Sequence, residues 1–248
     1  MSMTGQLVSS LADSFSGNLD ADGFTTTLSP FDLVSGAAPP AYDNTRTVAS
    51  FDKTFDLIPA EATDPTLDKA NSLTLAMQAT HMVDTASSAG IGVDSIGANG
   101  AANLASANFM LADNSLSTLS VLGLSVEASG IHSDSNSSLV FGSNEAVLSG
   151  DASFHSLTVT GALVGGKTLT FSGDAAANTV LYSSSTVTIT LDAQTLLLPP
   201  AAASGVIGPS ITTDAIDIRF NDAKFGGHTI SGDFAIGQSS ASYALMHA

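Results

Sequence analysis

The 248 residues include no cysteine and no tryptophan, and only 6 lysines and arginines stand against 23 aspartates and glutamates. Without cysteine there is no disulfide scaffold, no thiol nucleophile and no thiolate metal site. With a formal net charge of -17 there are too few cations to neutralise the phosphates of a nucleic acid or an anionic membrane surface. Glutamate is scarce as well, present only at Glu61, Glu127 and Glu145, so nearly all the acid is aspartate. No stretch approaches the ~18 apolar residues of a membrane span, and no membrane insertion is expected. The N-terminal MSMTGQLVSSLADSF also lacks the basic region and long apolar run of a signal peptide.

What fills the chain is Ala, Ser, Thr, Gly and Asp, on 44% hydrophobic residues that can bury a substantial core. Asp, Asn, Ser and Gly bond their own backbone and favour turns, whereas the missing Glu and Lys favour helix surfaces. From Asn71 onward the apolar period is two. In NSLTLAMQATHMV the residues Leu73, Leu75, Met77, Ala79, His81 and Val83 share one parity, which predicts a half-buried strand. TVTITLDAQ turns Val187, Ile189 and Leu191 inward, and AIDIRFND does the same with Ile216, Ile218 and Phe220. The clusters GIGVDSIGANG, SGIHSDSNSS, GSNEAVLSGD, TGALVGGK and FGGHTISGD read as the turns between strands.

The expected fold is mainly β: antiparallel sandwich or barrel-like sheets with Asp/Gly-rich turns and at most one or two short helices, a β-solenoid being the alternative. Residues 1–70 read as an N-terminal extension with Pro-rich connections and edge strands, such as Thr47 to Leu57, and residues 71–248 as the β-rich core domain. Leu7, Val8, Leu11 and Phe15 recur at helical spacing and predict one amphipathic helix over residues 5–15.

Metal chemistry has one motif to offer. SGNLDADGFTTTLS places Asn18, Asp20, Asp22 and Gly23 where a calcium loop wants them, but Ser29 stands where the bidentate carboxylate belongs. A turn entering the strand Phe24 to Leu28 fits better. Ser-Gly-Asp occurs three times, ending at Asp151, Asp174 and Asp233, either as a strand-end device or as a gathered cation site. The calcium candidates are therefore Asn18, Asp20, Asp22, Asp151, Asp174 and Asp233, with calcium the one cofactor considered besides haem. A haem carrier would draw on His81 or His132 with Tyr42, Tyr182 or Tyr243. No HxH, HExxH or GxSxG motif is present, and Gly161 to Thr168 misses the phosphate-loop spacing by one residue. No catalytic residue is nominated.

The stretches STLSVLGLSVEASGIHSDSNSS, ASFHSLTVTGALVGG, NTVLYSSSTVTITLDAQTLLL and ITTDAIDIRFNDAKFGGHTISGDFAIGQSSASY follow one another in an order that resembles bacterial surface proteins of the choice-of-anchor P type. The resemblance runs from about Leu73 to Tyr243. It implies export and a place at the cell surface, and it brings no catalytic residues with it. The closing ALMHA departs from that family's anchoring signals. The expected function is thus a non-enzymatic extracellular or cell-surface structural or adhesive protein, self-assembling through strand pairing into a homo-oligomer, matrix or filament. A calcium- or ligand-binding secreted protein is the alternative, and a carbohydrate-active enzyme the third reading.

Overall fold

The computed structural model describes residues 3–31, 34–38, 41–58, 73–89, 95–114, 121–140, 145–198 and 208–247. They form thirteen strands: β1 (Met3–Ala21), β2 (Phe24–Phe31), β3 (Val34–Ala38), β4 (Asp43–Asp56), β5 (Leu73–Ala89), β6 (Ser95–Asp113), β7 (Val121–Val140), β8 (Glu145–Thr160), β9 (Leu169–Ala175), β10 (Thr179–Ser183), β11 (Val187–Leu197), β12 (Ser210–Phe225) and β13 (His228–His247). A single 3₁₀ turn, Ala162–Val164, joins β8 to β9. Sheet I runs β10-β11-β12-β13-β1-β2, with β3 also on β1; sheet II runs β4-β5-β6-β7-β8-β9. Every pairing is antiparallel, and the two open sheets stack as a sandwich, closed into neither a barrel nor a solenoid.

The helix expected over residues 5–15 is instead the first half of β1, paired with β13 from Met3↔His247 to Ala21↔Ile230. The large apolar residues misled because the inward positions of this strand are mostly small: Ser10, Ala12 and Ser14 are all buried. Long-range pairing decides the conformation here over local spacing. Residues 1–70 supply β1, which lies between β13 and β2 one strand in from the end of sheet I, together with β2 and β3, and β4, the edge of sheet II. Pro59 and Pro65 lie outside the described residues.

Strict alternation fails locally at Asp222 (φ 50°) in β12, where the inward places pass from Phe220 to Ala223, and across several strands at one level of the sandwich. In β5, Leu73, Leu75, Met77 and Ala79 face in as expected, but beyond His81 the inward places belong to Met82, Asp84 and Ala86. His81 itself is exposed and takes φ 49°, and Val83 turns to the outer side, so both depart from the parity read in the sequence. One left-handed residue inserted in a strand reverses its faces. The same reversal occurs at Gly130 (φ 54°) in β7, Asp192 (φ 49°) in β11 and Gly237 (φ 65°) in β13. Register places these residues side by side with their neighbours: Ala105 of β6 lies between His81 and Gly130, and Ala215 of β12 between Asp192 and Gly237. A methyl built on Gly237 would lie 3.3 Å from Ala215 Cβ and 3.4 Å from Ile131 Cγ2 on the opposite sheet, so the two reversals face each other as one seam through both layers.

The seam divides the interior. On one side Phe15, Phe109 and Phe234 stack, with centroids of Phe109 and Phe234 4.6 Å apart, among Leu, Ile and Met. Across it the filling is Ser, Ala and Gly, ending in a small cluster of Val8, Ile96, Leu139, Ile211 and Tyr243. Here the sheets close in: a methyl at Gly100 of β6 would collide with the carbonyl oxygens of Leu11 and Ser240 in the other sheet. SGIHSDSNSS, read as a turn, therefore lies wholly inside β7, with Ser133, Ser135 and Ser137 pointing into this narrow half.

Candidate functional site: the crease of sheet II

Reversing the pleat creases a sheet, and on the outer side of sheet II the crease forms a groove of about 380 Å³. Two rows of polar side chains cross it. One is Asp52–Gln78–Asn108–Glu127–Thr158, each residue directly opposite the next on β4, β5, β6, β7 and β8. The other, two residues along each strand, is Ser50–Thr80–Ser106–Ser129–Ser156. Neighbours are tied laterally: Thr80 Oγ1 and Ser106 Oγ lie 2.6 Å apart, Ser129 Oγ and Ser156 Oγ 2.7 Å, and Gln78 Nε2 donates to Asp52 Oδ2 at 3.2 Å. At the centre, Asn108 Oδ1 is shut off from water without a hydrogen-bond partner. The rows thus hold donors and acceptors in a lattice stepped at the strand spacing of about 4.8 Å.

The outer face of sheet I differs in chemistry. A hollow of about 310 Å³ beside its seam is lined by Thr190, Gln194, Asp217 and Arg219 among others. Burial raises the pKa of Asp217, a rise moderated by Arg219, whose Nε donates to its carboxylate at 2.7 Å. Burial likewise pushes Asp214, next to the seam residue Ala215, up to about 6, although Gln238 Nε2 donates to it at 2.7 Å. Asp13 and Asp192 also stand at this seam: Asp13 Oδ1 accepts from the N–H of Phe15, two residues on, and Asp192 from Gln194 Nε2. Aspartate tolerates the left-handed region and bonds its own backbone, which suits it to the reversal.

The residues nominated from the sequence are dispersed. Asp20 closes the β1–β2 turn, accepting from Gly23 N–H at 2.8 Å and from Thr25 Oγ1 at 3.1 Å. Asp22 accepts from Thr229 N–H at 2.8 Å and bonds His228 Nδ1 at 2.7 Å; burial alone would raise its pKa, but these bonds outweigh that and hold it low. Both carboxylates therefore secure turns. Asn18 lies opposite Asp233 in the β1–β13 register. Asp151 lies opposite Asp134 on the outer face of sheet II, with His132 Nε2 4.0 Å away, and Asp174 is opposite Ser153 on β9. Burial first, and the Asp151 charge second, raise Asp134, which accepts from Asn99 Nδ2 at 2.6 Å. The Ser-Gly-Asp sequences ending at Asp151 and Asp233 lie inside β8 and β13, and the one ending at Asp174 lies at the close of β9, one residue before its end at Ala175. No group of three or more His, Asp or Glu among the described residues is arranged to hold a metal ion. His81 and His132 are likewise apart, on β5 and β7, and Tyr42 spends its hydroxyl on Ser10 Oγ at 2.9 Å.

Sequence reasoning missed the rows because neighbouring members lie 19 to 31 residues apart and are unremarkable singly. The usable signal was the outward parity of each strand, Gln78 and Thr80 in β5 for example, once register is known. Neither a family model, nor a curated protein, nor a solved structure matches the chain.

Proposed function

We propose that this protein is a non-enzymatic structural or adhesive component, outside the cell or on its surface, whose copies join through strand edges. The observation that carries the reading is a contrast between the two lateral edges of the sandwich. At the β4 edge Arg46 and Lys53 stand opposite the buried Asp84 and Met77, placing charge on the inward parity of an edge strand. Inward charge on an edge blocks pairing with another sheet. Among the described residues the opposite edge has no such guard. There β9 covers β8 only from Ala152 onward, and β10 covers β11 only as far as Leu191. Leu196 has the inward parity, opposite Ile211, yet is 55% exposed, and Leu197 and Leu198 are 65% and 71% exposed.

A second copy suits this edge. Residues 194–198 carry no charge in a chain of net charge -17, so two copies meeting here avoid setting carboxylates against each other. Antiparallel pairing about Leu196 would set Thr195 against Leu197 and bury the leucines of both. The resemblance of Leu73 to Tyr243 to exported surface proteins agrees with this placement. Light scattering across a concentration series tests it: association is expected to grow with concentration and with salt, which screens the acidic surfaces. Leu196→Lys should abolish it. A wild-type protein that stays monomeric throughout would refute the assembly reading.

A further inference from the structure

We propose that the crease of sheet II is a binding site for a neutral saccharide chain. The inference goes beyond assembly and rests on different residues, on a face away from the open β11 edge.

Three properties of the groove select the ligand class. Glu127 makes the central row negative on a strongly acidic protein, which disfavours phosphates, sulfates and polyuronates. The row holds carboxylates only at its Asp52 and Glu127 positions, separated by two strands, so it does not offer the several converging oxygens a divalent cation requires. The lining is Gln, Asn, Thr, Ser and Ala, with no large apolar or aromatic side chain to hold an apolar ligand. What remains complementary is a neutral molecule dense in hydroxyls, each both donor and acceptor. Asn108 and Glu127 stand side by side, so the Asn108 amide N–H can donate to one hydroxyl of a sugar ring and the Glu127 carboxylate can accept from the next, while Thr80, Ser106, Ser129 and Ser156 offer either role along the second row.

Asn108 lines the middle of the groove, between Gln78 and Glu127 in the first row. The lateral bonds of the hydroxyl row fix the lattice before the ligand arrives, which reduces the ordering cost of binding. A step of about 4.8 Å between strands lets successive sugar units of an extended chain meet successive side chains of the same row. With no aromatic platform a single site binds at about millimolar strength, and copies presented together multiply it by avidity.

The test is an NMR titration of the full chain with neutral oligosaccharides built on glucose, galactose, mannose, xylose or N-acetylglucosamine. At least one should shift amide signals of residues 78–80, 106–108, 127–129 and 156–158. Asn108→Ala and Thr80→Val should each weaken that binding about tenfold, the effect of one lost hydrogen bond, in samples whose spectra retain the dispersion of the folded protein. Ser149→Ala, outside the rows, should leave it unchanged. Absence of shifts with every sugar at tens of millimolar would overturn the proposal, as would shifts confined to other residues, binding unaffected by both crease variants, or binding only of an acidic polysaccharide. Leu196→Lys gives the independent reading: it should remove association and leave the sugar affinity of the monomer intact.

Discussion

The two halves of the sandwich are built on opposite packing rules, and the seam between them is where one rule gives way to the other. On the phenylalanine side, large side chains fill the space between sheets at the usual separation of about 10 Å, and stability comes from apolar area removed from water. On the serine side the sheets approach until a methyl at Gly100 would collide with the backbone of β1 and β13, and around that contact the inward residues are mostly Ser, Ala and Gly. Some hydroxyls there bond across the interior: Ser135 Oγ donates to Thr213 Oγ1 at 2.9 Å and Ser14 Oγ to the buried Asp84 at 3.3 Å. The halves differ in what a substitution does to them.

The largest effect is expected on the wide side. Phe234 is fully buried, with its ring 4.6 Å from that of Phe109 and 5.9 Å from that of Phe15. Phe234→Ala should destabilise by about 4 kcal/mol in chemical denaturation, from lost transfer energy and the cavity left behind. A cost below about 1 kcal/mol would mean that the half collapses freely and is not distinct.

The seam itself should show in the pH dependence. Asp214 titrates near 6 in the folded chain against 3.8 unfolded, so the folded state holds this proton more tightly. Its stabilising contribution is complete below the unfolded value and is lost as pH rises through 6, amounting to at most about 3 kcal/mol. Asp214→Asn should therefore be more stable than wild type at pH 7 by up to about that amount and equal to it near pH 4. Denaturation curves at the two pH values check this, and a variant gain that does not depend on pH would contradict it.

A smaller and more discriminating effect belongs to the narrow half. Ser133 Oγ and Ser137 Oγ are buried without partners, whereas Ser135 is bonded. Ser137→Ala should stabilise by about 1 kcal/mol and Ser135→Ala should cost about 1 kcal/mol. Thermal melts of the pair give the sign directly, and equal shifts would show that the serine band is simply a small-residue filling.

Much of the wide half was legible from the sequence. Val187, Ile189, Leu191, Ile216, Ile218 and Phe220 all face the core as their alternation predicts, because that half obeys the ordinary rule of large apolar residues inside. The narrow half was not legible, since its inward residues are the same Ser, Ala and Gly that elsewhere mark turns. SGIHSDSNSS reads as a loop until the neighbouring sheet is known to lie against it. His81 misled for a related reason: a strand that passes through a left-handed residue keeps its composition and reverses its faces, and only Gly130 and Gly237 among the four carry the residue type that signals it. The crease rows were invisible in the same way, being a product of register across five strands. The aspartates drew notice for their number, yet Asp20 and Asp22 close turns and Asp13, Asp192 and Asp214 stand at the reversal.

The central claim is that backbone contact between the sheets sets the narrow half, and Gly100→Ala tests it most directly. One methyl there, harmless in an ordinary strand, must push the sheets apart. Chemical denaturation should show a loss of about 3 kcal/mol, at the upper end of overpacking costs. A Gly100→Ala protein as stable as the wild type would contradict the account.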